Sequence, residues 1–183
     1  SGIGKNFCVK RKITPENKKC VEKDESFCLG NFRITPLDVP HDSTDNVGYK
    51  IECDGVVFCI ITDAGHVTEK MEQYIGQANY LVIESNYDEE MLRNGTYPKY
   101  LKDRISGGNG HLCNSECGKA LAEHATDELR HVWLCHLSGE NNHPILAQKT
   151  VEQVLRSYGL IAGKDFELDV LRRSTPSEMF ELI

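Results

Sequence analysis

The chain has 183 residues and a mass of 20.6 kDa, which is enough for one well-packed domain and too short for two of ordinary size. Its 21 Lys and Arg residues stand against 28 Asp and Glu residues, and the net charge of −7 argues against a broadly basic nucleic-acid surface, while leaving room for a local basic patch. No apolar run approaches the roughly 20 residues of a membrane-spanning helix, so an integral membrane protein is excluded.

The first half of the chain predicts irregular structure followed by strands. Residues 1–27 are polar, Lys-rich and without periodicity, and we expect them to be irregular or peripheral. FRITPLDV (Phe32 to Val39) is typical of a strand, and Pro36 within it indicates the edge of a sheet. The runs GYKIEC and VVFCIIT flank Asp54-Gly55, which predicts a β-hairpin over Gly48 to Thr62.

The middle of the chain alternates between helical and strand patterns. Thr68 is a predicted N-cap for the helix TEKMEQYIGQA, in which Met71, Tyr74 and Ile75 share one side. YLVIE (Tyr80 to Glu84) is typical of a buried strand. DEEML then begins a short helix, and PKYLKDRI forms another, with Pro98 suited to the first turn.

The last third continues this alternation. After the glycine-rich SGGNG, NSECGKALAEHA predicts a helix and HVWLC a buried strand. Pro144 to Tyr158 predicts a long amphipathic helix whose inward residues are Ile145, Leu146, Val151, Val154 and Leu155. DFELDVL predicts a final strand, and MFELI is a candidate to pair with it. Alternating strands and helices indicate a layered α/β architecture.

Four ionisable residues occupy the same kind of position in this pattern. His41 and Asp63 follow predicted strands closely, Glu84 ends one, and His136 comes directly after HVWLC. The carboxyl ends of strands are where α/β proteins gather catalytic groups, and imidazole together with carboxylate suits a zinc or manganese site. The sequence therefore favours a divalent-metal site at one rim of the sheet.

Each of these residues also has an ordinary structural interpretation when it is taken alone. In this interpretation His41 would cap a turn-rich loop, Asp63 would form an Asx turn, and His136 would be a hydrogen-bonded core histidine. Glu84 resists this interpretation, because a carboxylate at the end of a buried strand is costly unless a partner compensates it. Because four such residues occur at four strand ends, a shared functional site is favoured over four unrelated structural roles.

Two further groups of residues leave alternatives open. His111, Cys113, Cys117 and His124 could form a zinc knuckle, but this interpretation is disfavoured because their spacing differs from that of familiar structural zinc sites. A basic stretch interleaved with tyrosines suits a nucleic-acid strand, but the same spacing also describes a solvated helix face. Its residues are Arg93, Tyr97, Lys99, Tyr100, Lys102 and Arg104.

The positions of the cysteines in the sequence favour a reducing compartment. Cys53, Cys59 and Cys135 lie within apolar runs, where a reduced thiol behaves as a small hydrophobic side chain. The opening SGIGKNFCVKRK lacks the apolar segment of a secretory signal. We therefore expect a cytoplasmic protein without membrane association.

Several stretches together resemble a known family, the YycJ/WalJ-like group of metallo-β-lactamase-fold hydrolases. They follow the family's order from about Phe27 to the C-terminus, and they are VPHDSTDNVGYKI, IITDAGHVTEKM, LVIESNYDEEML, GTYPKYLKDRI, GNGHLCNSECGKAL and LCHLSGENNHPILAQKTVEQVL. The resemblance implies an α/β fold of the metallo-β-lactamase type, an αββα sandwich of which this chain supplies the C-terminal part.

The resemblance also implies roles for individual residues. His41 and His136 are similar to metal ligands of the family, and Asp63 to the carboxylate that bridges two divalent ions, zinc or manganese. Glu84 and His111 are similar to a pair in related nucleases in which the histidine protonates the leaving oxygen. Arg93, Lys99, Lys102 and Arg104 become candidates for binding the substrate.

One departure from the family pattern is plain. The signature HxHxDH, which supplies the other metal-binding side chains of the family, does not occur in the printed sequence. We therefore expect residues 1–183 to be one domain that forms the C-terminal portion of a longer protein, rather than a degenerate relative, because His41, Asp63, Glu84, His111 and His136 are all present. Three of seven ligands alone should bind a metal pair poorly.

The function that the resemblance implies is hydrolysis of phosphodiester bonds by a nuclease, with DNA favoured over RNA and digestion from 5′ to 3′. One alternative is a hydrolase of a small ester, lactone or cyclic phosphodiester. Another is a non-catalytic binding module. Salt dependence separates the first two, because binding of a nucleic acid weakens steeply as salt rises.

Overall fold

A computed structural model describes residue 14 and residues 20–183 of the chain. Seven strands in this part form one mixed sheet in chain order, antiparallel from β1 to β4 and parallel from β4 to β7. They are β1 (Phe27–Leu29), β2 (Phe32–Asp38), β3 (Val47–Cys53), β4 (Val56–Ile61), β5 (Tyr80–Glu84), β6 (His131–Cys135) and β7 (Glu167–Val170). The α/β architecture predicted from the alternating pattern is confirmed.

The predicted irregular segment 1–27 lies mostly outside the described residues, since residues 1–13 and 15–19 are not described. Residues 20–26 contain neither helix nor strand, in agreement with the prediction. Phe27 already belongs to β1, a three-residue strand that the sequence did not reveal.

The hairpin of β3 and β4 confirms the prediction made from Asp54-Gly55. Cys53 pairs with Val56 across the two-residue turn. Asp54 and Gly55 have φ angles of 50° and 83°, and positive φ at both central residues is what a type I′ turn requires.

The prediction that Pro36 marks an edge strand was wrong. β2 is the second strand of the sheet, and β1 forms the edge. β1 pairs only with Phe32 to Ile34, however, so Pro36 lies in a stretch of β2 that has a strand neighbour on one side only. A residue without a backbone N–H is tolerated there for that reason.

The helices begin and end close to their predicted positions. They are α1 (Glu69–Gln77), α2 (Glu89–Asn94), α3 (Lys99–Ile105), α4 (Asn114–His124) and α5 (Pro144–Ser157). Thr68 caps α1 by accepting a hydrogen bond from the Met71 backbone N–H. On α5, however, Ile145 is 58% exposed, contrary to prediction. The buried residues Ala147, Val151 and Leu155 define the inner face, and Ile145 points away from it.

Helices α1, α4 and α5 contribute to the main core on one face of the sheet, where alternate residues of β4 to β7 are buried. The opposite face carries Trp133, which the C-terminal residues approach. Phe180 packs against Trp133 edge-on at 4.9 Å between ring centroids, and the Tyr80 hydroxyl donates to the Ile183 carbonyl oxygen at 2.9 Å. The predicted pairing of MFELI with the last strand was therefore wrong, because this segment lies on the face of the sheet rather than at its edge.

The strand directions decide where the candidate residues meet. Strands β4 to β7 are parallel, and β2 runs in the same direction as β4 because both are antiparallel to β3. The carboxyl ends of these five strands therefore share one rim. Among the described residues, no helix has the length and apolar composition needed to cross a membrane.

Candidate metal centre

The rim brings together all the predicted site residues that follow strands. Asp63 lies just beyond β4, Glu84 ends β5 and His136 follows β6. One ligand atom from each of these residues and from His111 lies within 4.8 Å of the others. This is the only such group of histidine, cysteine and acidic residues that the described part of the chain contains. His41 borders it, with its Nε2 3.7 Å from the Asp63 Oδ1.

The carboxylate of Asp63 is encircled by three imidazoles. Its Oδ1 lies 3.7 Å from His41 Nε2, 3.8 Å from His111 Nδ1 and 3.6 Å from His136 Nδ1. These separations are longer than hydrogen bonds, and no donor among the described residues hydrogen-bonds to this carboxylate. A carboxylate without a donor, among imidazole nitrogens, is a donor set that fits a divalent cation.

Glu84 orients two histidines of the same centre from a buried position at the end of β5. Its side chain is 0% exposed, and its Oε1 accepts hydrogen bonds from the Nδ1 atoms of His111 at 2.8 Å and His136 at 2.6 Å. Its Oε2 accepts from the backbone N–H groups of Ala64 at 2.7 Å and Leu112 at 3.4 Å. Four donors satisfy one carboxylate, which suits it to orienting imidazoles rather than binding a metal itself.

The hydrogen bonds of Glu84 set the charge at the centre. Burial alone would raise the pKa of Glu84, but the hydrogen bonds from His111 and His136 outweigh it and lower the pKa. The same contact raises the pKa of His136 against the opposing effect of its partial burial. Because an ionised carboxylate only accepts, we assign a proton to Nδ1 of each imidazole while it is hydrogen-bonded to Glu84.

His41 is oriented by a main-chain group instead. Its Nδ1 hydrogen-bonds to the Gly110 carbonyl oxygen at 2.8 Å, and its Nε2 faces Asp63. A histidine whose second ring nitrogen donates to a carbonyl is the usual arrangement for a metal ligand, because this bond fixes the ring and its tautomer.

Two of the candidate ligands stand on unusual backbone. Asp63 and His136 have φ angles of 56° and 55°, in the left-handed region that residues other than glycine rarely adopt. The side-chain amides of two asparagines hold these residues, since Asn46 donates to the Asp63 carbonyl oxygen at 2.9 Å and Asn86 to that of His136 at 2.7 Å. Strained backbone held by neighbouring groups is frequent at functional sites.

The glycine-rich segment before His111 is closely packed. At Gly110 any Cβ atom would overlap the carbonyl oxygens of Arg104 and Ile105, so only glycine fits there. The His111 backbone N–H donates to the Ile105 carbonyl oxygen at 2.9 Å. The loop therefore fixes the position of His111 rather than leaving it mobile.

A buried polar network beneath the centre was missed by the sequence analysis. Ser85 Oγ donates to Asn114 Oδ1 at 2.6 Å, and Asn142 Nδ2 donates to the same oxygen and to the carbonyl oxygen of Ser85, both at 2.9 Å. Asn114 and Asn142 are almost fully buried. The asparagines within ESN, HLCN and GENN are the sequence signal that would have revealed this network.

The four predicted substrate-binding cations are not equivalent in the structure. Arg104 Nη2 donates to Asp42 Oδ1 at 3.0 Å, and Lys102 Nζ donates to the Arg93 carbonyl oxygen at 2.8 Å. Of the four, only Arg104 lines the cleft beside His111 and His136, and Lys99 is exposed elsewhere on α3. Their role in substrate binding stays a prediction.

The alternative zinc knuckle does not form. His124 contacts Glu72 instead, with 3.7 Å between its Nε2 and Glu72 Oε1. Cys113 and Cys117 are buried, and burial raises the pKa of both thiols, which opposes metal binding as thiolates.

Comparison with known proteins identifies the family. Residues 5–137 match the model of the beta-lactamase superfamily domain. This match covers more than half of the chain, so the chain belongs to the beta-lactamase superfamily. Within it the chain is YycJ/WalJ-like, as the sequence motifs predicted.

Two curated relatives carry that closer likeness. The chain is 40% identical over 140 residues to the exodeoxyribonuclease YycJ of Bacillus anthracis, an alignment that covers 76% of this chain and 53% of the relative. It is 30% identical over 171 residues to the exodeoxyribonuclease WalJ of Streptococcus pneumoniae, covering 93% of this chain and 64% of the relative. The chain thus spans between half and two thirds of the length of these relatives.

Solved structures confirm the predicted metallo-β-lactamase fold. The metallo-β-lactamase fold protein YhfI of Bacillus subtilis matches with a TM-score of 0.63 and 16% identity, covering 91% of this chain and 59% of its own. Zinc-bound PqqB of Methylobacterium extorquens matches with a TM-score of 0.59 and 18% identity, covering 91% of this chain and 56% of its own.

Proposed function

We propose that the protein is a metal-dependent phosphodiester hydrolase that degrades DNA from a strand end, in the 5′ to 3′ direction. The observation that carries the proposal is the Asp63 carboxylate, which lies among three imidazoles without a hydrogen-bond donor of its own. The names of the two curated relatives support DNA as the substrate.

His41, Asp63 and His136 would hold two divalent ions, zinc or manganese, together with ligands from an HxHxDH segment outside the printed sequence. When bound, the ions would activate water and neutralise the charge that develops on the phosphate. Three donors are too few for two ions, which is why the proposal includes further ligands.

Glu84 and His111 would supply the proton for the leaving group. The Glu84 Oε1 accepts the hydrogen bond from Nδ1 of His111, which orients the ring and leaves its Nε2–H free for the leaving group. The proton passes from Nε2 to the departing oxygen of the DNA strand, and His111 becomes neutral. Such general acid catalysis contributes about 10²- to 10⁴-fold to a rate.

The proposal is tested on the protein encoded by the complete gene, by measuring metal content and the hydrolysis of end-labelled linear DNA. Asp63→Asn should lose bound metal and activity together. His111→Ala should lower kcat by about 10²-fold or more while the metal is retained. Asparagine is chosen at position 63 because it tolerates the left-handed backbone.

Lys164→Gln is the matched control, because Lys164 is exposed in the loop before β7, at the opposite rim of the sheet. It should leave both readouts unchanged. The reverse pattern, with metal lost in His111→Ala and kept in Asp63→Asn, would overturn the assignment of roles.

The alternatives give different outcomes in the same assay. Turnover of a lactone or cyclic phosphodiester without cleavage of DNA would replace the nuclease by a small-molecule hydrolase. Affinity for DNA should fall steeply as salt rises if the proposal is right. A complete protein that neither binds metal nor hydrolyses any of these substrates would refute enzymatic function.

A further inference from the structure

A cleft of about 790 Å³ opens beside the candidate metal centre and extends beyond it. His111 and His136 line one part of it. Another wall comes from the α3 region, and a third from the segment Leu171–Arg173 that follows β7. The metal centre accounts for the histidines but not for the rest of the cleft.

Arg172 and Arg173 reach this cleft by the same topology that places the metal ligands. They follow β7, the last of the parallel strands, and therefore lie at the rim shared with Asp63 and His136. The Leu171 backbone N–H donates to the Leu134 carbonyl oxygen at 2.8 Å, which ties the segment to β6.

The two arginines differ from Arg104 in their charge balance. Arg104 is paired with the Asp42 carboxylate, whereas no carboxylate among the described residues lies within ion-pair distance of Arg172 or Arg173. Both side chains are exposed. Uncompensated cations in a cleft attract an anionic ligand, because little charge has to be displaced for the ligand to bind.

Arg173 lies over Gly139, three residues after His136. Its guanidinium group lies directly over Gly139, where a Cβ atom would overlap it. Arg173 and His136 line the same cleft. An anionic group bound by Arg173 would therefore sit close to the metal centre.

The two walls of the cleft differ in chemistry. The α3 region contributes Tyr97, Leu101, Ile105 and the ion-paired Arg104, whereas the end of β7 contributes the two arginines, and Glu140 also lines the cleft. A nucleic-acid strand has the same two-sided character, with phosphates on one edge and aromatic bases on the other. Channels for single strands combine cationic and aromatic surfaces in this way.

We propose that Arg173, with Arg172 beside it, binds a phosphate of the DNA strand other than the one being hydrolysed, while the bases lie against Tyr97, Leu101 and Ile105. The inference rests on the proposed function and deepens it by naming the residues that position the strand. It assigns binding of the DNA strand to residues after β7 rather than to the cations of α3.

The test is binding of a short, labelled single-stranded oligothymidylate to the complete protein in EDTA, followed by fluorescence anisotropy over a range of salt concentrations. Arg173→Gln should raise Kd by about 10-fold, which corresponds to about 1.4 kcal/mol. It should also reduce the slope of log Kd against log salt by about 0.7, the value for one phosphate contact with a single strand.

Arg130→Gln is the matched control. It removes the same charge from an exposed arginine that precedes β6, at the opposite rim of the sheet. It should leave Kd and the salt slope unchanged.

With metal restored, Arg173→Gln should raise KM for DNA more than it lowers kcat. If Arg173→Gln binds DNA as Arg130→Gln does, while the unsubstituted protein cleaves DNA, the inference is wrong and the nuclease proposal stands. If the unsubstituted protein neither binds nor cleaves DNA, both proposals fail.

Discussion

Strand β6 has a histidine at each end, and each histidine is hydrogen-bonded to a carboxylate. Beyond its carboxyl end, His136 Nδ1 lies 2.6 Å from Glu84 Oε1. At its amino end, His131 Nε2 lies 2.8 Å from Asp169 Oδ2. The side chain of Glu84 is 0% exposed and that of Asp169 is 59% exposed. The two pairs have similar distances, so burial and the number of partners are what distinguish them.

The neighbouring groups of His131 and His136 also distinguish the two pairs. His131 stacks on Trp133 with 4.0 Å between ring centroids and contacts Phe180 edge-on, so it forms part of an aromatic cluster. His136 instead faces the cleft, with Asp63 nearby and left-handed backbone beneath it. A histidine–carboxylate contact is therefore weak evidence of chemistry unless other ionisable groups converge on it.

The largest effect on stability is expected for Glu84→Gln. An amide nitrogen cannot accept hydrogen bonds, so some of the four N–H donors that now point at Glu84 lose their acceptor. Buried donors left unpaired, with loss of charged hydrogen bonds, should cost about 2–3 kcal/mol in the free energy of unfolding. Urea denaturation in EDTA measures this, and a loss below about 0.5 kcal/mol would show that Glu84 is not structurally important.

A smaller, pH-dependent effect is expected for His136→Asn. The folded protein raises the pKa of His136, chiefly through Glu84, so the stabilisation is present below the ordinary value of about 6.5 and disappears as the pH rises through the raised pKa. The difference in unfolding free energy between the unsubstituted protein and His136→Asn should therefore shrink from pH 6 toward higher pH. Denaturation in EDTA at a series of pH values measures it.

The Glu84→Gln background provides the control for that measurement. Without the carboxylate the main cause of the raised pKa of His136 is removed, Asp63 being the smaller one, and the pH dependence contributed by His136 should largely vanish. A pH dependence that persists in this background would assign the effect to another group.

The smallest effect is expected for Asp169→Asn. The carboxylate is mostly exposed, and exposed ion pairs contribute little, so the free energy of unfolding should change by less than about 0.5 kcal/mol. Hydrolysis of DNA should be unaffected. A loss as large as that of Glu84→Gln would refute the view that burial distinguishes the two pairs.

Local patterns predicted most of the fold. The Asp54-Gly55 turn, the Thr68 cap and the buried face of α1 follow from backbone preferences and helical spacing, which act over a few residues. The failures involve contacts between distant segments. β1 is too short to show a pattern, and its pairing is what moved β2 from the edge of the sheet.

In the candidate site, too, local patterns were predictive and contacts between distant segments were not. The position of His41, Asp63, Glu84 and His136 after strands was enough to predict that they meet. His111 came only from the family resemblance, because its loop carries no periodic signal and is held by packing at Gly110. The roles of these residues stay predictions until the variants are measured.

Groups that support the site were harder to foresee. Asn46 and Asn86 act through hydrogen bonds to main-chain oxygens far along the sequence, which no local pattern encodes. Arg173 follows a predicted strand, but nothing local in the sequence distinguishes an arginine at a cleft from one on a solvated surface.

The left-handed backbone at Asp63 and His136 has a consequence for protein engineering. A designer who grafts this histidine–aspartate arrangement onto another scaffold has to transfer the turns, with the amides of Asn46 and Asn86 that brace them, and not the two candidate ligands alone. Exchanging either ligand for a β-branched residue would conflict with the main chain itself. The amino acids that positions 63 and 136 tolerate are thus limited by backbone conformation as well as by any requirement to bind an ion.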